Sequence, residues 1–389
     1  MDDLQEIANI PKDIVIEKPD DVKPRKKITD IEIVLPSEEG KTSWFRKNWK
    51  YLLGIVVTIA LMTYLIIRSK PGAIGESLQK ANYWFIFAAF GGTIVLFIIK
   101  TLRWMYILKQ QGEKVPFMEA LSLILIGTFG SAITPAKVGD ILRAFYLTKK
   151  RKSISTGAAV FSVVFDRILD LAGIVVVVAI SFPFIIAKMV SIDWWIPASV
   201  GGGIIIFLLL LVFVYNEKAT KPVVNIILKF ISKTFRKQEA KDKINITTQE
   251  IIDDFYVSQK NYKFKHYFWL GLLSILFWGL LGLQGYLFLR AFDPTLIINP
   301  LMVIMTLCVA AIVALTIPIS ISGIGIRDTI IVIFLAFLAD VNNATSLSLS
   351  ITQTFLNVLI PGIIGGLLIF FLMKRQKKDK MNTTKLAVG

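Results

Sequence analysis

The sequence predicts an all-α polytopic membrane protein, with inverted-topology repeats around two re-entrant, broken-helix hairpins. Three observations carry that expectation. The 389 residues are 54% hydrophobic with a mean hydropathy of +0.64, too apolar for a soluble domain of this length. Apolar runs of spanning length, about 20 residues, recur along the chain. Two of the runs are interrupted by Pro and Gly at corresponding places in the two halves, as in transporters built from repeats.

Residues 1–43 mix acids with bases, carry Pro11, Pro19, Pro24 and Pro36, and show no apolar period. They read as a disordered cytoplasmic tail and not as a signal peptide. The transmembrane domain is expected over 44–375, followed by a basic tail at 376–389. Its apolar runs are 51–67, 83–103, 117–134, 155–187, 195–215, 267–289, 300–317, 326–339 and 346–372. The stretches around 137–148 and 326–339 are too short to cross alone, so each is expected to be the return arm of a hairpin. Within 216–266, Val223, Ile226, Ile227, Phe230 and Ile231 recur at helical spacing, with Lys229, Lys233 and Lys237 on another face. This predicts an amphipathic helix, either on an anionic membrane surface or as a soluble connector.

Basic residues set the orientation. Lys41, Arg46, Lys47 and Lys50 precede the first span, Lys149 to Lys152 follow the first break, and the loop 216–266 and the tail are rich in Lys. Both termini and that loop are therefore expected in the cytoplasm of a plasma-membrane protein. Segments 291–299 and 340–345 hold no Lys or Arg; Arg68, Lys70 and Lys80 in 68–82 run mildly against the pattern. On this assignment 117–149 starts and ends inside, while 300–340 starts and ends outside. The halves 83–187 and 267–372 then form the inverted repeat.

The chemistry concentrates at the breaks. The first reads Pro135-x-x-x-Gly139-Asp140-x-x-Arg143, with Lys137 inside it, and the second Pro318-x-x-x-x-Gly323-x-Gly325-x-Arg327-Asp328. Arginine, glycine and a restarting helix N-terminus suit a phosphate; a tight turn built of purely structural glycines is the alternative. Asp166 and Asp170 lie on one helix face four residues apart and repel without a cation between them. Arg167 points about 100° away, so an external partner is expected, with Arg143 or Arg327 the natural candidates. Asp140 and Arg143 can form a salt bridge of their own. Arg327 and Asp328, being adjacent, are not expected to face each other, which leaves Arg327 free for an anion. A buried structural ion-pair network is the competing reading.

Other chemistries find little support. Gly323-x-Gly325 lacks the context of a nucleotide loop. Cys308 lies in an apolar run and reads as packing; His266 reads as interfacial. One Cys and one His exclude a disulfide framework and a His/Cys zinc cluster. No catalytic residue, metal or cofactor is expected. Nucleic acid is a poor partner for basic residues scattered among spans.

Taken together, the two broken motifs and Asp166-Arg167-x-x-Asp170 resemble the flippase-like transmembrane family of lysylphosphatidylglycerol synthases, over about 50–375. The resemblance implies a stand-alone member that handles lipids, without the soluble aminoacyl-transfer domain. Lys137 and Asp328 stand where that family more often has Arg and Glu. The leading expectation is translocation of an anionic phospholipid or a polyprenyl-phosphate-linked lipid, with Arg143, Arg327, Lys137 and the three glycines at the substrate. Asp140, Asp166, Arg167, Asp170 and Asp328 would pair or couple. The alternatives are a membrane enzyme or accessory subunit acting on polyprenyl-phosphate glycolipids, and an ion-coupled small-anion transporter. Anionic membrane lipids are the expected partners, alongside a second copy or a lipid-synthesis protein.

Overall fold

The structure, a computed structural model, describes residues 44–134, 137–151, 153–181, 205, 253–254, 256–258, 262–316, 320–372 and 374. Both tails, the 195–215 run, the amphipathic segment, Pro135 and Pro318 lie outside these residues. Every long element is helical. The first half comprises α1 (Trp44–Arg68), α2 (Pro71–Gln79), α3 (Tyr83–Gln110), α4 (Phe117–Ile133), a 3-10 turn (Val138–Ile141), α5 (Leu142–Lys150) and α6 (Thr156–Ser181). The second half comprises α7 (Phe264–Phe292), α8 (Pro300–Thr316), α9 (Ile326–Ala339) and α10 (Asn343–Leu372). A π turn at Phe355–Leu359 interrupts α10.

Among the described residues, α3, α7 and α10 are each long and apolar enough to cross a membrane, and α1 joins α2 as a span bent by 77°. α6 matches them in length but carries Asp166, Arg167 and Asp170 at its middle. α4 and α8, at 17 residues each, are shorter. The 68–82 segment, expected as a loop, is largely the helix α2. Pro71 at its first position suits a helix start, and Lys70 takes the turn at φ 57°.

Local signals explain several boundaries. The Asn82 side chain accepts from the Trp84 N–H and caps α3, and Asn342 does the same for Thr345 at α10. Asp328 accepts from the Gly325 N–H (2.7 Å) and starts α9. On α3, Phe87, Ile94, Ile98 and Leu102 stay exposed, as do Ile363, Leu367 and Phe371 on α10. Apolar stripes of that length have no place against water; acyl chains cover them.

The two halves share one order of elements: long helix, shorter helix, break, return helix, long helix. From α3 to α6 and from α7 to α10 consecutive helices pack on one another, and α3 packs against α7 between the halves. These two run antiparallel. The Asn82 N–H at the start of α3 donates to the Ala291 carbonyl at the end of α7 (2.8 Å). At the other end, the Tyr262 hydroxyl ahead of α7 donates to the Ile107 carbonyl of α3 (2.9 Å). The segment 117–151 returns to where it began: Arg151 Nε and Nη2 grip both oxygens of Glu119 at 2.9 and 3.0 Å. The breaks meet inside the molecule, where the Ser322 N–H reaches the Thr134 carbonyl (3.4 Å).

Candidate functional site

Two arrangements stand side by side at the meeting of the breaks: a closed cluster of arginines and aspartates, and a cavity lined by cations. The cluster rests on α6. Asp166 and Asp170 point the same way from successive turns, and the cation between them is Arg103 of α3. Its Nε donates to Asp166 Oδ1 (2.8 Å), its Nη2 to Asp170 Oδ1 (2.6 Å) and its Nη1 to Ser274 Oγ of α7 (2.9 Å). Arg143 completes the other side, donating from Nη2 to Asp166 Oδ2 (2.7 Å) and lying 3.2 Å from Asp140. Arg167 bonds Asp140 through Nη2 and reaches Asp170 from Nη1 at 3.4 Å. Three arginines thus meet three aspartates. Arg103, Arg143 and Asp166 have no exposed surface. Charges so deeply buried persist only when paired and hydrogen-bonded.

These contacts revise several sequence expectations. Arg143 is one of the anticipated partners of Asp166, but the main neutralising cation is Arg103. Arg143 cannot reach a ligand, because the Trp104 ring covers its guanidinium face (5.0 Å) and the side chain is fully enclosed. Arg327 does not approach Asp166 or Asp170. It is not free either: its Nη2 donates to Asp328 Oδ1 (2.9 Å) and to Thr354 Oγ1. Adjacent helical residues point apart at Cβ, but in the first turn of α9 the long guanidinium folds back over Asp328, which also accepts from Ser350. The glycines answer packing and backbone demands of the chain. A Cβ on Gly139 would lie 2.1 Å from the Gly130 carbonyl oxygen, so the break presses on α4. Gly323 and Gly325 hold φ of 81° and 89°, and a Cβ on Gly325 would meet Leu61 of α1. Positive φ is where glycine is needed.

Beside the cluster lies a cavity of about 100 Å3. Lys100 of α3, Lys137 of the first break and Arg167 of α6 bring positive charge to it. Leu96, Phe97, Phe277, Leu281 and Val358 supply its apolar wall. Thr128, Ser131, Ser322 and Asn357 add polar groups. Among the described residues neither lysine ammonium has a hydrogen-bonded or ion-paired partner, and both side chains are half-buried. Lys137 and Ser322, one from each break, both hold φ of 55°, the left-handed region that non-glycine residues rarely enter. Strained backbone of this kind concentrates at functional sites. Asn357 comes from the π turn of α10 and exchanges hydrogen bonds with Gln284 of α7 and Thr93 of α3 (2.7 and 3.0 Å). π turns recur at functional positions because they re-aim a side chain. No group of three His, Cys, Asp or Glu among the described residues could hold a metal.

Of the anticipated site residues, the structure brings Lys137 and Arg167 to the cavity and places Asp140, Arg143, Asp166 and Asp170 in the cluster next to it. Arg327 and Asp328 form a separate pair. Lys100, Arg103, Gln284 and Asn357 were missed. For the first two a signal existed: the run ended at Arg103, yet Trp104-Met-Tyr-Ile-Leu108 continues the apolar character to Gln110. Lys100 and Arg103 therefore sit inside the helix and not at its margin.

Helices that match membrane thickness, lipid-facing apolar stripes and a neutralised ionic core define a multi-pass membrane protein with a polar centre. The chain belongs to the family of the lysylphosphatidylglycerol synthase transmembrane region, whose model matches residues 51–378. It is 25% identical over 342 residues to a UPF0104 membrane protein of Methanocaldococcus jannaschii, covering 85% of this chain and 96% of that one. A similar protein of Pyrococcus horikoshii is 23% identical over 337 residues, covering 82% and 96%. The glycosyltransferase AglD of Haloferax volcanii shares 31% identity over 134 residues, 32% of this chain and 20% of its own.

Proposed function

We propose that this protein translocates an anionic lipid across the plasma membrane, with the headgroup held by Lys100, Lys137 and Arg167. The observation that carries the reading is the pairing of unneutralised cations with an apolar wall in one cavity. A cation at membrane depth is costly, and two without bonded carboxylates suit a ligand that brings its own negative charge. The apolar side suits an acyl or polyprenyl chain. The arginines and aspartates of the cluster act at one remove, fixing α3, α5 and α6 around the cavity. On this reading the protein is a transporter and not an enzyme.

The antiparallel packing of α3 on α7, the return of 117–151 to its start and the contact between the two breaks support an inverted repeat with two re-entrant hairpins. Both termini then lie in the cytoplasm. Labelling of Thr295→Cys in a Cys308→Ala background from the outer face alone is the expected result; labelling from the cytoplasmic face alone overturns the topology. The function is tested in proteoliposomes carrying a fluorescent anionic phospholipid. Lys100→Gln and Lys137→Gln should each slow lipid movement while the protein stays monodisperse. Unchanged movement in both variants overturns the assignment. The match to a glycosyltransferase favours one second reading, an accessory role beside glycosyl transfer on lipid carriers. It would show as dependence on a partner enzyme and no lipid movement by the protein alone.

A further inference from the structure

The charges of the buried centre do not balance, and the size of the imbalance says what kind of headgroup fits. The described ionisable side chains near the two breaks are Lys100, Arg103, Lys137, Arg143, Arg167 and Arg327 against Asp140, Asp166, Asp170 and Asp328. Six cations face four carboxylates. Arg103, Arg143 and Arg167 are matched by the three aspartates of the cluster, and Arg327 by Asp328. The residual charge of two resides on Lys100 and Lys137, which line one cavity.

Resting on the anionic-lipid reading, we infer that the ligand of this cavity is a lipid phosphomonoester, whose phosphate carries two negative charges. A phosphodiester lipid brings one charge and leaves one lysine uncompensated beside Leu96, Phe97, Phe277, Leu281 and Val358, where low polarity makes that charge costly. A zwitterionic headgroup compensates neither lysine, and a headgroup bearing its own lysyl amine adds a third positive charge. The cavity, about 100 Å3, has room for a phosphate group. The phosphate would enter the cavity, and whatever it carries would lie along the exposed faces of the helices. Ser322 and the second N–H of the Asn357 amide are placed to supply hydrogen bonds that lysines, as point charges, leave to others.

The test uses full-length protein in phosphatidylcholine nanodiscs, with retained lipid counted by native mass spectrometry. Phosphatidic acid, a monoester, competes with phosphatidylglycerol, a diester with similar tails. At pH 8 the protein should prefer phosphatidic acid by about tenfold or more, as one extra compensated charge requires. Near pH 5 the monoester holds one charge, since its second ionisation lies near 6, and the preference should collapse in the wild-type protein. The Lys100→Met/Lys137→Met variant should show no preference at either pH. Equal retention of both lipids at pH 8, falling together in the lysine variant, overturns the two-charge inference and leaves the anionic-lipid reading standing. Retention of neither lipid depending on the lysines overturns both. Inorganic phosphate, titrated as a separate arm, should not displace phosphatidic acid at equal concentration; displacement would make the ligand a free phosphate and overturn the lipid assignment.

Discussion

The two breaks are built on one plan and filled differently. In the first half the break meets α6, which offers Asp166 and Asp170; in the second it meets α10, which offers Ser350 and Thr354 at the same four-residue spacing. The first break therefore sits in a six-membered ionic cluster and leaves a lysine, Lys137, facing the cavity. The second holds a single ion pair, Arg327 with Asp328, finished by two hydroxyls. Positive charge without a bonded carboxylate gathers at the first break, while the second is a nearly neutral frame with backbone and hydroxyl groups. On the proposed reading, a pair of repeats that differ in this way holds the headgroup on one and moves the other around it.

The largest expected effect separates the carboxylates of the two breaks. Asp166→Asn strips a charge that serves both Arg103 and Arg143 and should cost about 3–5 kcal/mol. Asp328→Asn keeps an acceptor for the Gly325 N–H and Ser350, and Arg327 retains Thr354, so the loss should be about 1–3 kcal/mol. Chemical denaturation in a mild detergent checks the ranking. Equal losses would mean that the cluster is not the stronger anchor. Adding Arg143→Gln to Asp166→Asn should recover part of the loss, with a coupling of about 0.5–3 kcal/mol, while Arg103 would keep only Asp170 and Ser274.

Next in size are the glycines. Gly139→Ala drives a methyl into the backbone of Gly130, and neither chain can yield without separating α4 from the break. The cost should be about 1–3 kcal/mol. Gly323→Ala meets Ala314 Cβ at 3.0 Å and strains a φ of 81°, at about 1 kcal/mol or somewhat more. Trypsin resistance of the folded protein reports both; a Gly323→Ala loss exceeding that of Gly139→Ala would show the second break to be the tighter one.

This comparison was only half legible in the sequence. The helices were readable because lipid demands long apolar runs, and the short helices after the breaks because 14 residues or fewer cannot span. The ionic nature of the first break was readable from Asp166 and Asp170, whose repulsion requires a cation. Which cation answers it was not, because Arg103 lies 63 residues away, at the edge of an apolar run. The pairing of Gln284 with Asn357 was silent for the same reason: an amide in an apolar run does not name its partner. Arg327 was misjudged because Cβ directions were allowed to stand for a guanidinium that reaches several ångströms further.

The smallest expected effect has the opposite sign and cuts the comparison most finely. Lys100 carries a charge with no bonded carboxylate among the described residues, so Lys100→Met removes an uncompensated cation and replaces it with a side chain that suits Leu96 and Phe97. Arg327→Met removes a compensated one and strands the buried Asp328. Lys100→Met should therefore raise stability by about 0.5–1 kcal/mol while lipid retention falls, the usual exchange at a functional site. Arg327→Met should lower stability without a specific loss of lipid. Both are read by thermal denaturation of ligand-free protein, alongside lipid counts. If Lys100→Met destabilises the ligand-free protein as Arg327→Met does, Lys100 is a structural cation like the arginines, and the division between a responsive half and a neutral frame fails.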